Sequence, residues 1–220
     1  MKLVTHFPLI LLCFSFIVPQ VKLSAQTQRK IEFPDLTDYH TLIADLHQHT
    51  VFSDGSVWPD IRVKEALFDG VDVIALTEHL EYQPHQKDLP HKDRNRSYKL
   101  AKEYAKNHEL IVIHGAEITR DLPPGHSNAL FIQDANQLVH DDYMDAFREA
   151  KKQGAFIFWN HPNWVGQNKQ GITKLSPIHE TLIKEGLLHG VEVTNENTFA
   201  DQALTIANEN ELTILGTSDI

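Results

Sequence analysis

Residues 45–50 read Asp-Leu-His-Gln-His-Thr, and Ser53-Asp54-Gly55 follows after two further residues. On an extended strand alternate side chains share a face, so His47 and His49 are expected to point the same way. Imidazole is a common protein ligand for transition metals, and the Asp54 carboxylate is close enough in sequence to reach the same place. The segment predicts a metal site where a strand meets a loop, although an isolated His-x-His would have packing as its ordinary explanation.

The first 25 residues have the pattern of a secretory signal peptide. Lys2 supplies the positive charge, an apolar run extends from Phe7 to Val18, and Leu23-Ser24-Ala25 is a suitable cleavage site. The apolar run is too short for a comfortable membrane span. We therefore expect a cleaved leader over residues 1–25, a secreted or periplasmic protein and no stable membrane anchor.

The remaining residues, 26–220, have the composition of one soluble globular domain, since 41% of the whole chain is apolar. The one cysteine, Cys13, lies in the leader, so neither disulfides nor thiolate ligands are expected after cleavage. The formal charge of −10 becomes −12 when Lys2 and Lys22 are removed. Such a negative chain is not expected to bind long nucleic acids.

Apolar, strand-like runs alternate with helix-like stretches along the domain. Seven strands are predicted, near Leu42–Leu46, Val71–Leu76, Leu110–Ile118, Ala129–Ile132, Ala155–Trp159, Val191–Thr194 and Leu212–Gly216. Five helices are predicted between them, near Pro59–Phe68, Arg96–Asn107, Asp142–Gln153, Pro177–Lys184 and Asp201–Asn208. This alternation predicts a parallel α/β architecture, and seven strands favour a barrel over an open sheet.

Polar residues that can bind metals collect at the ends of these strands. They are Thr77-Glu78-His79, Gly115-Ala116-Glu117, Gly125-His126-Ser127-Asn128, Asn160-His161-Pro162, Glu192–Asn195 and Gly216-Thr217-Ser218-Asp219. Parallel barrels place their chemistry at the rim where strands end. A single residue of this kind would have a structural explanation, whereas the whole set predicts a metal centre.

These motifs resemble those of the polymerase and histidinol phosphatase (PHP) superfamily of metal-dependent phosphoesterases. The matching segments, in the family's order, are DLHQHT with SDG, TEH, GAE, GHSN, NHP and GTSD. Within the superfamily, DLHQHTVFSDGSVWPDIRVKEA and TEHLEYQPH resemble a group of secreted bacterial phosphodiesterases. The resemblance implies a distorted, seven-stranded (β/α)7 TIM-like barrel that holds two or three divalent metal ions.

The resemblance also implies roles for individual residues. One metal would be held by His47, His49, Glu117 and Asp219. A second would be held by Glu117, His126 and His161, with Glu117 bridging the pair. A third would use Asp54, His79 and a histidine beyond Ile220, so the domain is expected to be incomplete at its C-terminus, with the last elements of the barrel missing. Glu78 replaces the family's usual Asp and is expected to lie behind the ligands.

The implied reaction is hydrolysis of a small phosphate ester by water that two metal ions activate. Asp54, His79 or a water on the third metal would protonate the leaving oxygen, and Arg120, just beyond Glu117, is the basic residue best placed in the sequence to bind phosphate. Further basic residues lie in the loop after His79: Lys87, Lys92, Arg94 and Arg96. Phosphodiesters are favoured over monoesters, because aromatic and basic residues flank the expected site.

Three alternatives stay open: a phosphomonoesterase of the same fold, a hydrolase of amides or lactones, and a non-catalytic secreted metal-binding protein. Mixed nitrogen and oxygen ligands suit zinc, manganese or iron. His114 is among several histidines that are predicted to lie outside the centre, because it has the opposite parity to Glu117 on its strand and should face the helices.

Overall fold

A computed structural model describes residues 33–220 of the chain. The predicted leader, residues 1–25, lies outside the described residues. Within residues 33–220, none of the helices is long and apolar enough to cross a membrane.

Strands and helices alternate along this part of the chain. The strands are β1 (Ala44–Gln48), β2 (Val73–Leu76), β3 (Ile111–Ile118), β4 (Ser127–Leu130), β5 (Phe156–Trp159), β6 (Gly190–Asn195), β7 (Thr198–Phe199) and β8 (Thr213–Thr217). The helices are α1 (Pro59–Asp69), α2 (Arg96–Ala105), α3 (Tyr143–Lys152), α4 (Pro177–Lys184) and α5 (Asp201–Glu209), with a 3₁₀ turn at Ala135–Leu138. All predicted elements are present. The two-residue β7 was not predicted, because so short a strand has no periodicity to read.

All strands belong to one curled sheet, in which β1 to β6 are neighbours in chain order and β7 and β8 both pair with β6. The prediction of parallel strands throughout is wrong for β4, which runs antiparallel to both β3 and β5. The connection from β3 to β4 spans only residues 119–126. A parallel crossover needs a dozen or more residues, so this short connection reverses the chain.

The two ends of the sheet meet at the segment that follows β8. The Asp219 amide donates to the His47 carbonyl at 2.9 Å, and the His49 amide donates to the Ile220 carbonyl at 2.7 Å. Ser218 adds a hydrogen bond from its amide to the Asp45 carboxylate at 3.1 Å. The predicted α/β fold of the TIM-like barrel type is confirmed as a curled, half-barrel sheet, and hydrogen bonds from the segment after β8 reach β1 at the rim.

The helices pack on the outer face of the sheet, and the hydrophobic core lies between the helices and the strands. Val63 and Ala66 of α1 belong to a buried cluster with Ile74 and Leu76 of β2. A larger cluster joins α3, α4 and α5 to β5 and β6. Local signals mark two helix starts, since Pro59 occupies the first turn of α1 and the Asp142 carboxylate accepts the Met144 amide at the start of α3.

Candidate metal centre

The two histidines of the opening motif share a face, as strand geometry predicts. Their Nε2 atoms lie 3.1 Å apart, and Oδ1 of Asp219 lies 3.1 Å from each of them. Asp219 reaches this place because its amide is held by the His47 carbonyl. Three side chains from the two ends of the chain therefore converge within the reach of one cation.

The direction of β4 explains how His126 joins the group. His126 precedes its strand, whereas the other motifs lie within their strands or just after the carboxyl ends of those strands. Because β4 runs antiparallel to β3 and β5, its amino end lies at the rim where their carboxyl ends lie. The chain reversal that was not predicted is thus the feature that places a predicted residue correctly.

Glu117 stands at the middle of the centre and is completely buried. Its Oε1 lies 2.9 Å from Nδ1 of His126 and 3.7 Å from Nε2 of His161. Its Oε2 lies 2.7 Å from Nδ1 of His79 and 3.4 Å from Nε2 of His49. Each carboxylate oxygen therefore faces a different set of imidazoles, which is the arrangement that a bridging ligand requires.

Three groups of side chains have ligand atoms close enough to share an ion. They are His47, His49 and Asp219; His49, His79 and Glu117; and Glu117, His126 and His161. The first and third correspond to the two predicted main sites. The second group contains His79 of the predicted third site, but its other members are His49 and Glu117 instead of Asp54. Asp54 still lies close to His79, with its Oδ2 atom 3.3 Å from Nε2. The structure brings together all eight residues that were predicted as ligands.

Two buried atoms of the centre support a fit to divalent cations. Oε2 of Glu117 and Nδ1 of His126 are inaccessible to solvent, and neither has a hydrogen bond of acceptable geometry within the described residues. Buried polar atoms that make no hydrogen bond are costly and rare in folded proteins, and these two have instead the ion-pair contacts with His79, His49 and Glu117 given above. Imidazole nitrogens and carboxylate oxygens together suit first-row transition metals, so the donor set fits such ions.

Opposite charges dominate the electrostatics of the centre. Burial lowers the pKa of His79, but Glu117 and Asp54 outweigh burial and raise that pKa to about 10. Burial raises the pKa of Glu117, but the surrounding histidines, His79 first, lower it well below its usual value. The carboxylates are therefore ionised at neutral pH, and cationic partners stabilise them.

A buried carboxylate fixes the orientation of His47. Nδ1 of His47 donates to Oε1 of Glu192 at 2.7 Å, and the His161 amide donates to Oε2 of Glu192 at 2.6 Å. Asn195 and Thr217 donate to the same carboxylate. A histidine whose Nδ1 proton is held in this way presents the Nε2 lone pair to a metal. Glu192 thus orients two of the predicted ligands.

His49 is oriented by a different route. Its Nδ1 lies 3.1 Å from the Ser53 hydroxyl, which donates to Glu78 at 2.5 Å. Glu78 therefore lies behind the ligands, as expected, because it contacts His49 through the Ser53 hydroxyl. Gly55 allows the loop to fold back, because a Cβ atom there would lie 2.5 Å from the His49 carbonyl carbon. The Ser-Asp-Gly motif therefore supports the second histidine of β1.

Backbone conformation also marks the centre. His161 and Asp219 have positive φ angles of 28° and 53°. Few residues other than glycine adopt this region, and those that do are concentrated at functional sites. Two predicted ligands are thus held in conformations that their own backbone preferences oppose.

A cavity of about 490 Å³ opens above the centre and is called the rim cavity below. Its wall includes Asp54, Arg62, Trp164, Asn195, Glu196 and Thr198, beside histidines of the centre and Asp219. Trp164 packs against His126 and His161, with ring centroids 5.7 and 5.4 Å away. The centre therefore has one apolar wall as well as its polar floor.

The structure does not bring Arg120 into the rim cavity. Its guanidinium pairs with Glu81 at 2.9 Å and donates to the carbonyls of His140 and Asp141. The four basic residues of the loop after His79 also lie outside the cavity wall: Lys87, Lys92, Arg94 and Arg96. Proximity along the sequence to Glu117 was a poor guide to contact with the cavity.

Sequence reasoning missed Arg62 and gave no role to Glu192. A signal for Arg62 existed, because Pro59, Arg62, Val63 and Ala66 form the buried stripe of α1 and only one of the four is charged. Glu192 lies among the strand-end motifs, but nothing in a local pattern shows that its carboxylate meets His47, which is 145 residues away.

Comparisons with known proteins agree with this site. The family model described as the PHP domain matches residues 45–214. A crystal structure of a two-domain protein from Bacteroides vulgatus, containing a predicted PHP-like metal-dependent phosphoesterase, is 51% identical with a TM-score of 0.85. The match covers 89% of this chain but 57% of that protein, so this chain spans little more than half of its length.

Two more distant structures share the fold alone. A putative metal-dependent phosphoesterase from Bifidobacterium adolescentis is 19% identical, with a TM-score of 0.60 and coverage of 82% of this chain and 88% of that one. An amidohydrolase from Chromobacterium violaceum, solved with bound sulfate and no metal, is 15% identical, with a TM-score of 0.58 and coverage of 80% and 87%. No curated protein matches the chain.

Proposed function

Because this chain belongs to the PHP domain family of metal-dependent phosphoesterases, we propose that it hydrolyses small phosphodiesters with two or three bound metal ions. The observation that carries the proposal is the position of Glu117, whose two oxygens face separate sets of histidines. A protein that only stores metal has no need of a shared, fully buried carboxylate between neighbouring sites. The eight residues predicted as ligands would hold these ions, and manganese, zinc or iron would suit them.

Bound divalent cations would supply a water activated for attack and would neutralise phosphate oxygens. In the reaction the water oxygen bonds to phosphorus, the P–O ester bond breaks, and the leaving oxygen takes a proton. Where two ions are bound and the third position is not filled, the Asp54–His79 pair would be placed to hold that proton, because both line the cavity and their side chains lie 3.3 Å apart. Asn195 donates to Asp219 at 3.1 Å and so keeps this ligand in place.

The residues that line the rim cavity support the preference for diesters. A diester has one negative charge and two organic groups, whereas a monoester has up to two charges and one such group. The Trp164 indole offers an apolar contact for an ester substituent. The carboxylate of Glu196, which is not among the predicted ligands, also borders the cavity and opposes a second negative charge.

We also propose that the enzyme acts outside the cytoplasm, because residues 1–25 have a signal-peptide pattern. Expression of the full chain followed by mass spectrometry of the exported protein tests this proposal. A mature N-terminus near Gln26 is expected. A protein that stays in the cytoplasm with its first residues intact would contradict it.

The activity is tested by loading the protein with manganese, zinc or iron and measuring bis(p-nitrophenyl) phosphate against p-nitrophenyl phosphate. We expect the higher kcat/KM with the diester. Glu117→Gln should abolish hydrolysis. Glu103→Gln, on the exposed face of α2, is the matched control and should leave hydrolysis unchanged. Faster monoester turnover would overturn the diester preference. Full activity in Glu117→Gln would overturn the proposed chemistry.

A further inference from the structure

We propose that Arg62 binds the phosphate group of the substrate. This inference rests on the proposed function, because it takes the substrate to be a phosphate ester. Within the described residues that line the rim cavity, Arg62 is the one arginine, and lysines are absent. Histidines of the centre are needed as ligands, so Arg62 is left as the fixed positive charge available to an anion.

The position of Arg62 on α1 is unusual for a charged residue. It lies on the inward stripe with Val63 and Ala66, and only 6% of its surface is exposed. Arginine is almost never buried without a partner, because desolvating its charge is costly. The partners of Arg62, the His49 carbonyl and the Glu65 carboxylate, take up Nε and Nη1 and leave Nη2 outside both bonds.

Two hydrogen bonds fix the guanidinium. Nε donates to the His49 carbonyl at 2.9 Å, and Nη1 donates to the Glu65 carboxylate at 2.8 Å. Nη2 takes part in neither bond. Because the guanidinium is planar and already held, binding an anion at the remaining edge costs little further conformational entropy. Arginine also presents paired donors that match the oxygens of a phosphate.

The surroundings of Arg62 place that charge beside the reaction. Its Nε partner is the carbonyl of a predicted metal ligand, His49, and the neighbouring wall is the Asp54–Ser56 loop. Apart from histidines, the other charged side chains of the cavity wall are the carboxylates of Asp54, Glu196 and Asp219. A phosphate oxygen that turns away from the metal ions would therefore find its best donor at Arg62.

The test uses the metal-loaded full chain and inorganic phosphate as the probe, with binding measured by calorimetry and metal content measured in parallel. Arg62→Gln keeps an amide for the His49 carbonyl but removes the charge, and it should weaken phosphate binding by about 10- to 100-fold. Arg62→Lys should weaken phosphate binding by roughly threefold to tenfold, because the charge stays but the planar pair of N–H donors is lost.

Glu65→Gln should tighten phosphate binding by about twofold to fivefold, since Nη1 of Arg62 is then released from its carboxylate. Arg148→Gln, on exposed α3 and paired with Glu185, is the matched control and should bind phosphate within about twofold of the wild type.

Weakening in Arg62→Gln and tightening in Glu65→Gln, both at unchanged metal content, would support the assignment. Phosphate binding by Arg62→Gln within twofold of the wild type would overturn it. Joint loss of metal and phosphate in both Arg62 variants would also overturn it, because Arg62 would then act only through His49. Arg62-dependent phosphate binding without ester hydrolysis would instead contradict the proposed function and leave the phosphate site standing.

Discussion

His79 and His114 are buried to nearly the same extent, at 6% and 7% exposure, and lie on neighbouring parts of the sheet, yet their environments are opposite. His79 follows β2 and faces Glu117 and Asp54 inside the rim, which raise its pKa to about 10 against the effect of burial. His114 lies in β3 and faces outward, stacked on Tyr98 of α2 with ring centroids 4.1 Å apart, and burial lowers its pKa to about 4.

The comparison separates two uses of a buried histidine. Burial alone favours the neutral ring, as it does for His114. Where carboxylates surround the ring, as at His79, they raise its pKa above the usual value, and the same carboxylates attract metal ions to the inner face. Changing a carboxylate of the inner face, or titrating a histidine of either face, therefore tests this contrast.

The largest effect is expected from Glu117→Gln, which removes the charge that distinguishes the inner face. Both carboxylate oxygens face imidazoles, so the substitution disrupts more than one site at once. We expect metal affinity and hydrolysis to fall by at least about a thousandfold, since breaking a buried charge network costs several kcal/mol. Competition with a chelator measures the affinity, and a loss below tenfold would contradict a bridging role.

Metal binding is expected to release protons. In metal-free protein, carboxylates raise the pKa values of His47 and His79 against the effect of burial, so these rings are protonated at neutral pH. A cation must displace those protons, so metal affinity should rise with pH. The expected increase is about tenfold per pH unit for each proton released, or roughly a hundredfold from pH 6 to pH 8 for one proton. Calorimetry in buffers of different ionisation enthalpy counts the protons, and a count of zero would refute this prediction.

Glu192→Gln tests the support behind His47. The amide can still contact Nδ1 but no longer holds its proton as a carboxylate does, so metal affinity should fall by about 10- to 100-fold. Glu180→Gln, on the exposed face of α4, is the control. The visible spectrum of the cobalt-loaded protein should also change, because the His47 ring is less firmly oriented. An unchanged spectrum and affinity would show that Glu192 only packs.

The outer histidine should affect stability rather than metal binding. Because the folded state lowers the pKa of His114 to about 4, its stabilising contribution is complete above the unfolded pKa near 6.5 and declines as the pH falls towards 4. Between pH 8 and pH 5, the free energy of unfolding should therefore fall by about 1–2 kcal/mol less in His114→Phe than in the wild type. Chemical denaturation at both pH values measures this, with exposed His108→Phe, whose ring lies 5.7 Å from that of Tyr104, as the control. Equal losses in the wild type and His114→Phe would contradict the prediction.

Strand parity carried much of what the sequence could predict. The two-residue period placed His47 and His49 on one face and set His114 opposite Glu117, and the structure confirms both placements. Such patterns are local and survive whatever fold surrounds them. The order of motifs then indicated the family, which implied Glu117 and Asp219 as partners of distant histidines.

What the sequence did not predict depends on contacts between distant segments. The direction of β4 follows from a connection too short for a crossover, and Glu192 meets His47 only because β6 and β1 both reach the rim. Arg120 adjoins Glu117 in sequence but turns towards carbonyls before α3, whereas Arg62 reaches the cavity from α1. Position along the chain does not determine which way a long charged side chain turns.

The central claim is that the inner face holds several metal ions around one shared carboxylate. Elemental analysis of the wild-type protein, purified without chelator, counts these ions. At least two divalent ions per chain are expected in the wild type, and fewer in Glu117→Gln. One ion or none in the wild type, or an unchanged number in Glu117→Gln, would contradict it.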